Sequence, residues 1–347
     1  MTNTEGDAVE RPLVSVVIPT LNRRASLTSA IASVRHQAVD FTIEIVVCDN
    51  SSTDDTEAIM RGSGYDDISY VRHPSRSPRL DNLMFALRSG HGEFVTMLYD
   101  DEIMLQGNLQ AKAQALIANP DAAFVTSSVT TRDAVTGRLS PGVAIRPVAT
   151  TEDRVTYLMK SFSFTTGGLA PVMFRRNTVD SVQLEQRDDP LDDNALLLNL
   201  SRLGSVVLLP EGYVTETAGI GEMTGNGLLE QMTSRADPSL QINVPGVWFA
   251  WCQYRLRMEH VLRSKELSKR DRWALCASAR RNLREGVWKA AYHRAMAGQR
   301  PVRHTAALFA EVVTLKPSLL VPPVSSFLRR KVAGVPAPIP AFATAVE

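Results

Sequence analysis

The chain has 347 residues, of which 44% are hydrophobic and 22% are charged. This balance is typical of a globular protein with one large core or two smaller ones, and it excludes a wholly disordered or collagen-like chain. The formal net charge of +1 argues against a polycation that coats nucleic acid, so we expect no nucleic-acid partner.

Charge is unevenly distributed along the chain. Residues 1–252 hold 20 Lys and Arg against 31 Asp and Glu, whereas residues 253–331 hold 18 against 5. Two explanations fit this asymmetry in charge. The second segment is either a basic module that faces a membrane or an anionic substrate, or a set of helices with a solvated charged face. Three scattered cysteines exclude a disulfide framework, and no signal peptide or long apolar run is visible, so we expect a cytoplasmic protein.

Short apolar runs begin after a polar stretch, residues 1–11, that we expect to be disordered. Because these runs are rich in β-branched residues, they are typical of buried parallel strands. They lie at residues 13–18, 43–48, 68–71, 94–98 and 123–126, with further candidates at 172–174 and 206–209.

Amphipathic helices are predicted between these strands. Their apolar stripes are formed by Leu27, Ile31 and Val34, by Leu80, Leu83, Met84 and Leu87, and by Leu105, Leu109 and Leu116. Strands that alternate with helices predict an α/β fold with a mainly parallel sheet.

The second half of the chain is less regular. Residues 129–150 are predicted to leave the sheet, residues 191–203 to form a helix, and residues 219–227 to form a Gly-rich lid. We therefore expect an α/β domain at residues 12–218, then a lid and a basic helical extension at 219–333. The last residues, 334–347, are expected to be disordered.

Polar and acidic residues follow three of the predicted strands. Thr20 and Asn22 come after the first strand, Asp49 ends the second, and residues 100–102 (Asp-Asp-Glu) follow the fourth. Ligands of an open parallel sheet bind beyond the carboxyl ends of its strands, so we expect these residues to lie together. Adjacent carboxylates repel one another unless a cation neutralises them, and Mg²⁺ or Mn²⁺ completed by phosphate oxygens and water suits such a cluster. A solvated acidic turn is the other explanation.

Two stretches, residues 14–23 (VSVVIPTLNR) and 44–54 (EIVVCDNSSTD), resemble the opening of a family 2 glycosyltransferase of GT-A fold. The resemblance runs from about Leu13 to Glu216. It implies a Rossmann-like, mainly parallel sheet flanked by helices, here with a C-terminal helical extension. It also implies metal-dependent, inverting transfer of a sugar from a nucleotide-diphosphate donor to a hydroxyl acceptor.

The resemblance further implies a nucleotide-sugar pocket formed by Pro19, Thr20, Asn22, Asp49, Asn82, Asp100, Gly167 and Gly168. In it, Asp49 would accept the imide N–H of a uracil- or thymine-type base. Asp101 falls on the last acid of the family's Asp-x-Asp motif and is the implied metal ligand. Tyr99 replaces the first acid of that motif, which shifts ribose or diphosphate contacts to Asp100.

A second acidic group, residues 188–193, precedes a predicted helix and resembles the family's acidic pair, whose last member is the general base. We assign this role to Asp193, with Asp192 as the alternative. Such a base is needed because an acceptor hydroxyl must lose its proton as it attacks the sugar. Carboxylates at a helix N-terminus also cap the helix and are favoured by its dipole, so a purely structural role would explain these acids as well. The His or Arg/Trp signature that the family often carries downstream is missing from residues 215–219.

Two rival functions stay open at this point. A nucleotidyltransferase has a similar sheet, but it normally carries a Gly-rich basic loop after the first strand, which residues 20–23 do not provide. A non-catalytic relative that binds a nucleotide sugar as a scaffold fits the missing downstream signature. Many family members act on lipid-linked or cell-envelope acceptors. We therefore also expect the basic helices to make a peripheral contact with the inner face of the plasma membrane.

Overall fold

The computed structural model describes residues 12–133, 136–141, 149–161, 169–184, 192–218 and 245–296. These residues form two compact units. The first contains residues 12–154 and 169–218, and the second contains residues 155–161 and 245–296. The tails at residues 1–11 and 334–347 and the Gly-rich segment at 219–227 lie outside the described residues.

The first unit is built on one sheet, in which the described residues contribute ten strands. In chain order they are β1 Val14–Thr20, β2 Ile43–Asp49, β3 Ile68–Arg72, β4 Phe94–Met97, β5 Ile103–Met104, β6 Ala122–Asp133, β7 Leu139–Pro141, β8 Thr150–Glu152, β9 Val172–Arg175 and β10 Ser205–Ala218. The spatial order is β3-β2-β1-β4-β9-β6-β10-β5, with β7 beside β6 and β8 beside β10.

Strands β1 to β4 are parallel to one another, as the apolar runs predict. The register aligns Val14 with both Ile43 and Phe94, and it places Thr20 opposite Asp49. Strand β9 is antiparallel to both of its neighbours, β4 and β6. The carboxyl ends of β1, β2 and β4 therefore meet at one edge of the sheet.

Helices cover this sheet and continue into the second unit. In chain order they are α1 Arg24–Arg35, α2 Thr56–Met60, α3 Arg79–Ser89, α4 Asn108–Ala118, α5 Arg154–Ser161, α6 Arg176–Asp180, α7 Asp192–Leu200, α8 Pro245–Arg263 and α9 Lys269–Met296. The predicted stripes of α1 and α3 are buried, which confirms those helices and their faces.

Two details of the sequence prediction were wrong. Leu105 lies before α4 and not on it, because the short strand β5 and a turn intervene between the acidic residues and the helix. Residues 129–133 stay in the sheet, because β6 runs on to Asp133 and pairs with β10 along its length.

A close backbone approach fixes the start of β4. The Gly92 N–H donates a 2.7 Å hydrogen bond to Ser15 Oγ on β1. A Cβ atom at Gly92 would lie 2.7 Å from the Ser15 backbone nitrogen, closer than real Cβ contacts allow. Glycine is therefore required here for β4 to pair with β1.

In the second unit, α8 and α9 pack against each other through buried side chains that include Val261, Leu275, Ala279 and Leu283. These helices confirm the predicted C-terminal helical extension. Within the described part of the chain, no helix combines the length and the apolar character needed to cross a bilayer.

Candidate active site

Three loops converge at the carboxyl edge of β1, β2 and β4. Thr20 ends β1, and its hydroxyl donates a 2.8 Å hydrogen bond to Oδ2 of Asp100, 80 residues further along the chain. The backbone N–H of Asn50 donates to the Thr20 carbonyl at 2.9 Å. The sequence expectation that these residues lie together therefore agrees with the geometry.

Asp49, at the end of β2, is fully buried and accepts four hydrogen bonds from this chain. Its Oδ1 accepts from the backbone N–H and the hydroxyl of Ser52, at 2.8 and 2.6 Å. Its Oδ2 accepts from the Tyr70 hydroxyl and from Arg72 Nη1, both at 2.6 Å. Burial, together with the bond to Asp49, raises the pKa of Tyr70 to about 12, so this hydroxyl stays a donor at neutral pH.

This arrangement constrains the predicted role of Asp49. All of the acceptor positions that a carboxylate offers are occupied. A nucleobase N–H can reach Oδ2 only after Tyr70 or Arg72 has moved away. The assignment of Asp49 as the base-binding residue stays a prediction.

Asn22 joins the loops after β1 and β2. It has a positive φ of 54°, a conformation that asparagine tolerates better than most residues. Its backbone N–H donates to Ser52 Oγ at 2.9 Å, and its Oδ1 accepts from the Thr53 N–H at 2.7 Å. These bonds fix the loop and direct the next residue, Arg23, toward the acidic cluster.

Arg23 bridges Asp100 and Asp101, the residues predicted to contact the diphosphate and the metal. Its Nη1 donates to Asp100 Oδ1 at 3.1 Å and to Asp101 Oδ2 at 2.7 Å. Burial raises the pKa of Asp100 to about 6, while the charge of Arg23 and the bond from Thr20 partly oppose this shift. The Asp101 side chain is more accessible, with 33% exposure against 7% for Asp100.

The acidic pair suits a divalent ion of the kind proposed from the sequence. Among the described residues, no group of three or more His, Cys, Asp or Glu side chains is arranged for a metal. Two adjacent carboxylates are enough for Mg²⁺ or Mn²⁺ when phosphate oxygens and water complete the coordination. The Arg23 guanidinium, shared between both acids, shows that this position favours a cation.

The third acid, Glu102, turns toward the protein interior. Its backbone N–H donates to the Tyr99 carbonyl at 3.1 Å, and its Oε2 accepts from the Tyr99 N–H at 3.3 Å, so the turn is closed in both directions. The nearby side chain of Lys112 on α4 is completely buried. Burial lowers the pKa of Lys112 to about 7, although the charge of Glu102 opposes this shift.

Asp193, the predicted general base, lies near the start of α7 with its Oδ1 3.4 Å from Nη2 of Arg79. Arg79 begins α3, shortly after Ser77. Ser77 exchanges two hydrogen bonds with Asn50, which directly follows β2, at 2.8 and 3.1 Å. Asp193 is therefore connected through Arg79 to the loops at the carboxyl edge of the sheet.

The remaining predicted residues are placed less completely. Pro19 lies in β1 opposite Cys48. Asn82 lies in the first turn of α3, and its buried Oδ1 has no hydrogen-bond partner among the described residues. Asp192 is the first residue of α7, but its side chain is outside the described part, as are Gly167 and Gly168. Their assigned roles stay predictions.

Sequence reasoning missed the cations of the site, namely Arg23, Arg72 and Arg79. A signal for Arg72 was present, because it ends β3 in the parallel register that places it beside Asp49. Arg23 directly follows Asn22 in the first motif, so its position also pointed to the acidic cluster. No sequence signal indicated the pairing of Arg79 with Asp193.

Comparison with known proteins adds to this geometry. Residues 15–176 match the family model described as Glycosyl transferase family 2. A 108-residue stretch is 38% identical to the GalNAc(5)-diNAcBac-PP-undecaprenol beta-1,3-glucosyltransferase of Campylobacter jejuni and covers 30% of this chain. That stretch represents 34% of the relative, so the match spans about a third of its length.

Solved structures share the fold at low sequence identity. S. aureus TarS, residues 1–349 in complex with UDP-GlcNAc, aligns with a TM-score of 0.53 and 18% identity over 81% of this chain and 72% of that one. The Pyrobaculum calidifontis mannosyltransferase PcManGT, in complex with GDP-Man and Mn²⁺, gives 0.51 and 18% over 94% and 88%. The predicted resemblance and the predicted fold class are both confirmed.

Proposed function

Because residues 15–176 match the model of glycosyl transferase family 2, we propose that this protein transfers a sugar from a nucleotide-diphosphate donor to a hydroxyl acceptor, with inversion and with a divalent metal. The observation that carries the proposal is the convergence of Thr20, Asp100, Asp101 and Arg23 at the carboxyl edge of the parallel strands. This edge is where sheets of this kind bind nucleotides.

Asp100 and Asp101 would hold the metal beside the donor diphosphate. A divalent ion bound there supplies positive charge where the leaving diphosphate becomes more negative. Arg23 pairs with one oxygen of each acid, so a divalent ion held by these carboxylates would compete with its guanidinium. The guanidinium of Arg23 would also suit a phosphate oxygen of the donor, because its planar donor set matches phosphate geometry.

Asp193 would remove the proton from the acceptor hydroxyl. The 3.4 Å contact of its carboxylate with Arg79, whose helix begins near the loop after β2, supports this role. General base catalysis of this kind contributes about 10²- to 10⁴-fold to a rate. We expect inversion of the anomeric centre because a base that activates the acceptor directly requires no covalent sugar intermediate.

For the acceptor, we propose a lipid-linked glycan at the inner face of the plasma membrane. The curated relative from Campylobacter jejuni acts, according to its name, on an undecaprenol-linked substrate. The basic segment at residues 253–331 has the charge to approach anionic lipids, with 18 Lys and Arg against 5 Asp and Glu.

A donor screen followed by a transfer assay tests this function. Thermal shifts are measured with UDP-, dTDP- and GDP-sugars, each with and without MnCl₂, since a ligand that binds only the folded state raises the melting temperature. Transfer from the donor so found is then measured with a lipid-linked saccharide as acceptor. Asp193→Asn is expected to bind donor normally and to lose about 10²-fold or more in transfer rate.

The matched control is Asp66→Asn, an exposed aspartate between α2 and β3 that should behave as wild type. Normal transfer by Asp193→Asn would refute the assigned base. Absence of any nucleotide-dependent shift, with or without Mn²⁺, would refute the proposed function as a whole. Donor binding without transfer in the wild-type chain would favour a scaffold.

A further inference from the structure

The two most exposed large apolar residues of the described chain lie in one short stretch of the second unit. Leu262, the next-to-last residue of α8, is 67% exposed, and Trp273, the fifth residue of α9, is 74% exposed. Residues 264–268 connect the two helices, so both side chains lie at the same end of a helical hairpin. A tryptophan this exposed is unusual, because the residue carries a large apolar area.

The hairpin does not use these two side chains for its own packing. Its inner face buries Val261, Leu267 and Leu275 instead. The turn is well formed without them, since Ser268 Oγ donates to Asp271 Oδ2 at 2.6 Å and accepts from the Asp271 N–H at 3.1 Å. Among the described residues of the hairpin, Leu262 and Trp273 therefore stay largely uncovered.

Exposed cations lie in the same stretch of the chain as these two apolar residues. Lys265, Lys269 and Arg270 all lie in the connection or in the first turn of α9, and each is exposed. Glu266 is an exposed acid in the same stretch, while the Asp271 carboxylate is bound to the hydroxyl of the capping residue Ser268. The combination of a tryptophan, an aliphatic side chain and several cations is typical of a surface that sits at a membrane interface.

We propose that this surface, the hairpin tip formed by Leu262, Lys265, Lys269, Arg270 and Trp273, docks onto a membrane that contains anionic lipids. The cations select the negatively charged headgroups, and the two apolar side chains enter the interface. A protein partner would more commonly present a shaped pocket for the tryptophan, and the positive charge of the tip disfavours a second copy of itself. The inference rests on the proposed function, since a membrane-bound acceptor gives the docking its purpose.

Binding of the full chain to lipid vesicles tests the proposal. The vesicles contain phosphatidylcholine alone or phosphatidylcholine with a minor fraction of phosphatidylglycerol, and the bound fraction is measured by flotation at low and high salt. Each Lys or Arg near an anionic surface contributes roughly fivefold to binding. The variant with Lys265→Gln, Lys269→Gln and Arg270→Gln is therefore expected to bind about 100-fold more weakly.

Two substitutions separate the apolar contribution from the charge. Leu262→Ser with Trp273→Ser is expected to weaken binding about tenfold or more at unchanged charge. Ile117→Ser is the control, because Ile117 is 58% exposed at the end of α4 in the first unit, and its replacement should leave vesicle binding unchanged.

Several results would overturn the proposal. Equal binding to neutral and anionic vesicles would remove the role of the cations, and unchanged binding of the serine variant would remove the role of the apolar pair. A dimer in solution that Trp273→Ser dissociates, without vesicle binding, would assign the tip to a second copy. The donor thermal shift, measured without vesicles, tests the proposed function separately.

Discussion

The buried amine of Lys112 leads to a prediction about how stability depends on pH. Lys112 is completely buried on α4, and its Nζ has no hydrogen-bond partner among the described residues. Its pKa falls from 10.5 to about 7 because burial penalises the charged form. Between these two values the unfolded chain binds one more proton at this position than the folded chain does.

The sign and the size of the effect follow from this difference. The free energy of unfolding rises as pH rises through this window, because deprotonation removes a charge that only the folded state disfavours. One pKa unit corresponds to about 1.4 kcal/mol, so the buried amine costs about 4 kcal/mol at pH 7 and about 2 kcal/mol at pH 9. Lys112 thus contributes a rise of about 2 kcal/mol between these pH values.

Lys112→Met removes the amine and retains most of the side-chain volume. Its effect is measured on the first unit alone through Cys48, which is buried in β2 and whose pKa burial raises to about 12. A brief alkylation pulse at each urea concentration, read by mass spectrometry of the Cys48 peptide, counts the molecules in which this unit is open. We expect the wild-type chain to gain about 2 kcal/mol between pH 7 and pH 9 relative to the methionine variant.

The exposed Lys265 supplies the control, since Lys265→Met should keep the wild-type pH dependence. If the stability of Lys112→Met and that of the wild-type chain change identically with pH, the Lys112 amine has the same pKa in the folded and unfolded states. The reasoning about its burial would then be wrong. The comparison does not require the substitution itself to be stabilising, because only the change with pH is used.

Three further predictions concern the site and the sheet. Arg23→Met should bind Mn²⁺ alone about tenfold more tightly in a calorimetric titration, because the competing guanidinium is gone; an equal or weaker affinity would contradict its role as a counter-ion. Tyr70→Phe removes one donor from the buried Asp49 carboxylate and should destabilise the first unit by about 1–3 kcal/mol in the alkylation assay, so an unchanged midpoint would show that the bond contributes nothing. Gly92→Ala forces a Cβ against the backbone of Ser15 and should cost about 1–3 kcal/mol in the same assay, whereas wild-type stability would mean that β4 shifts freely.

The sequence was most informative where one physical signal dominated. Runs such as residues 14–18 and 45–48 are buried on both sides of a parallel sheet, so the apolar pattern alone identified β1 and β2. The acids at the carboxyl edge were also predictable, because Asp49 and Asp100 follow the two parallel strands that flank β1. The prediction that Leu105 lies on α4 was wrong because apolar spacing alone does not show where a helix begins.

The cations of the site were harder to predict. An arginine side chain is long, and the partner that it reaches depends on loop geometry that no local pattern encodes. Arg79 and Asp193 are 114 residues apart in the chain, and they meet only because α3 and α7 both begin near the same edge. The buried lysine was equally hidden, since Lys112 interrupts an apolar helix face that the pattern alone would fill with a hydrophobic residue.

The shared guanidinium of Arg23 has a consequence for how the acidic loop folds. Because the chain supplies its own positive charge to Asp100 and Asp101, the acidic loop reaches its working shape without help from ions in the surrounding medium. Proteins whose acidic or thiolate clusters lack such an internal partner often fold only after metal loading. Treatment with a chelator should therefore abolish the proposed metal-dependent donor binding. The melting temperature of the protein without donor should stay unchanged.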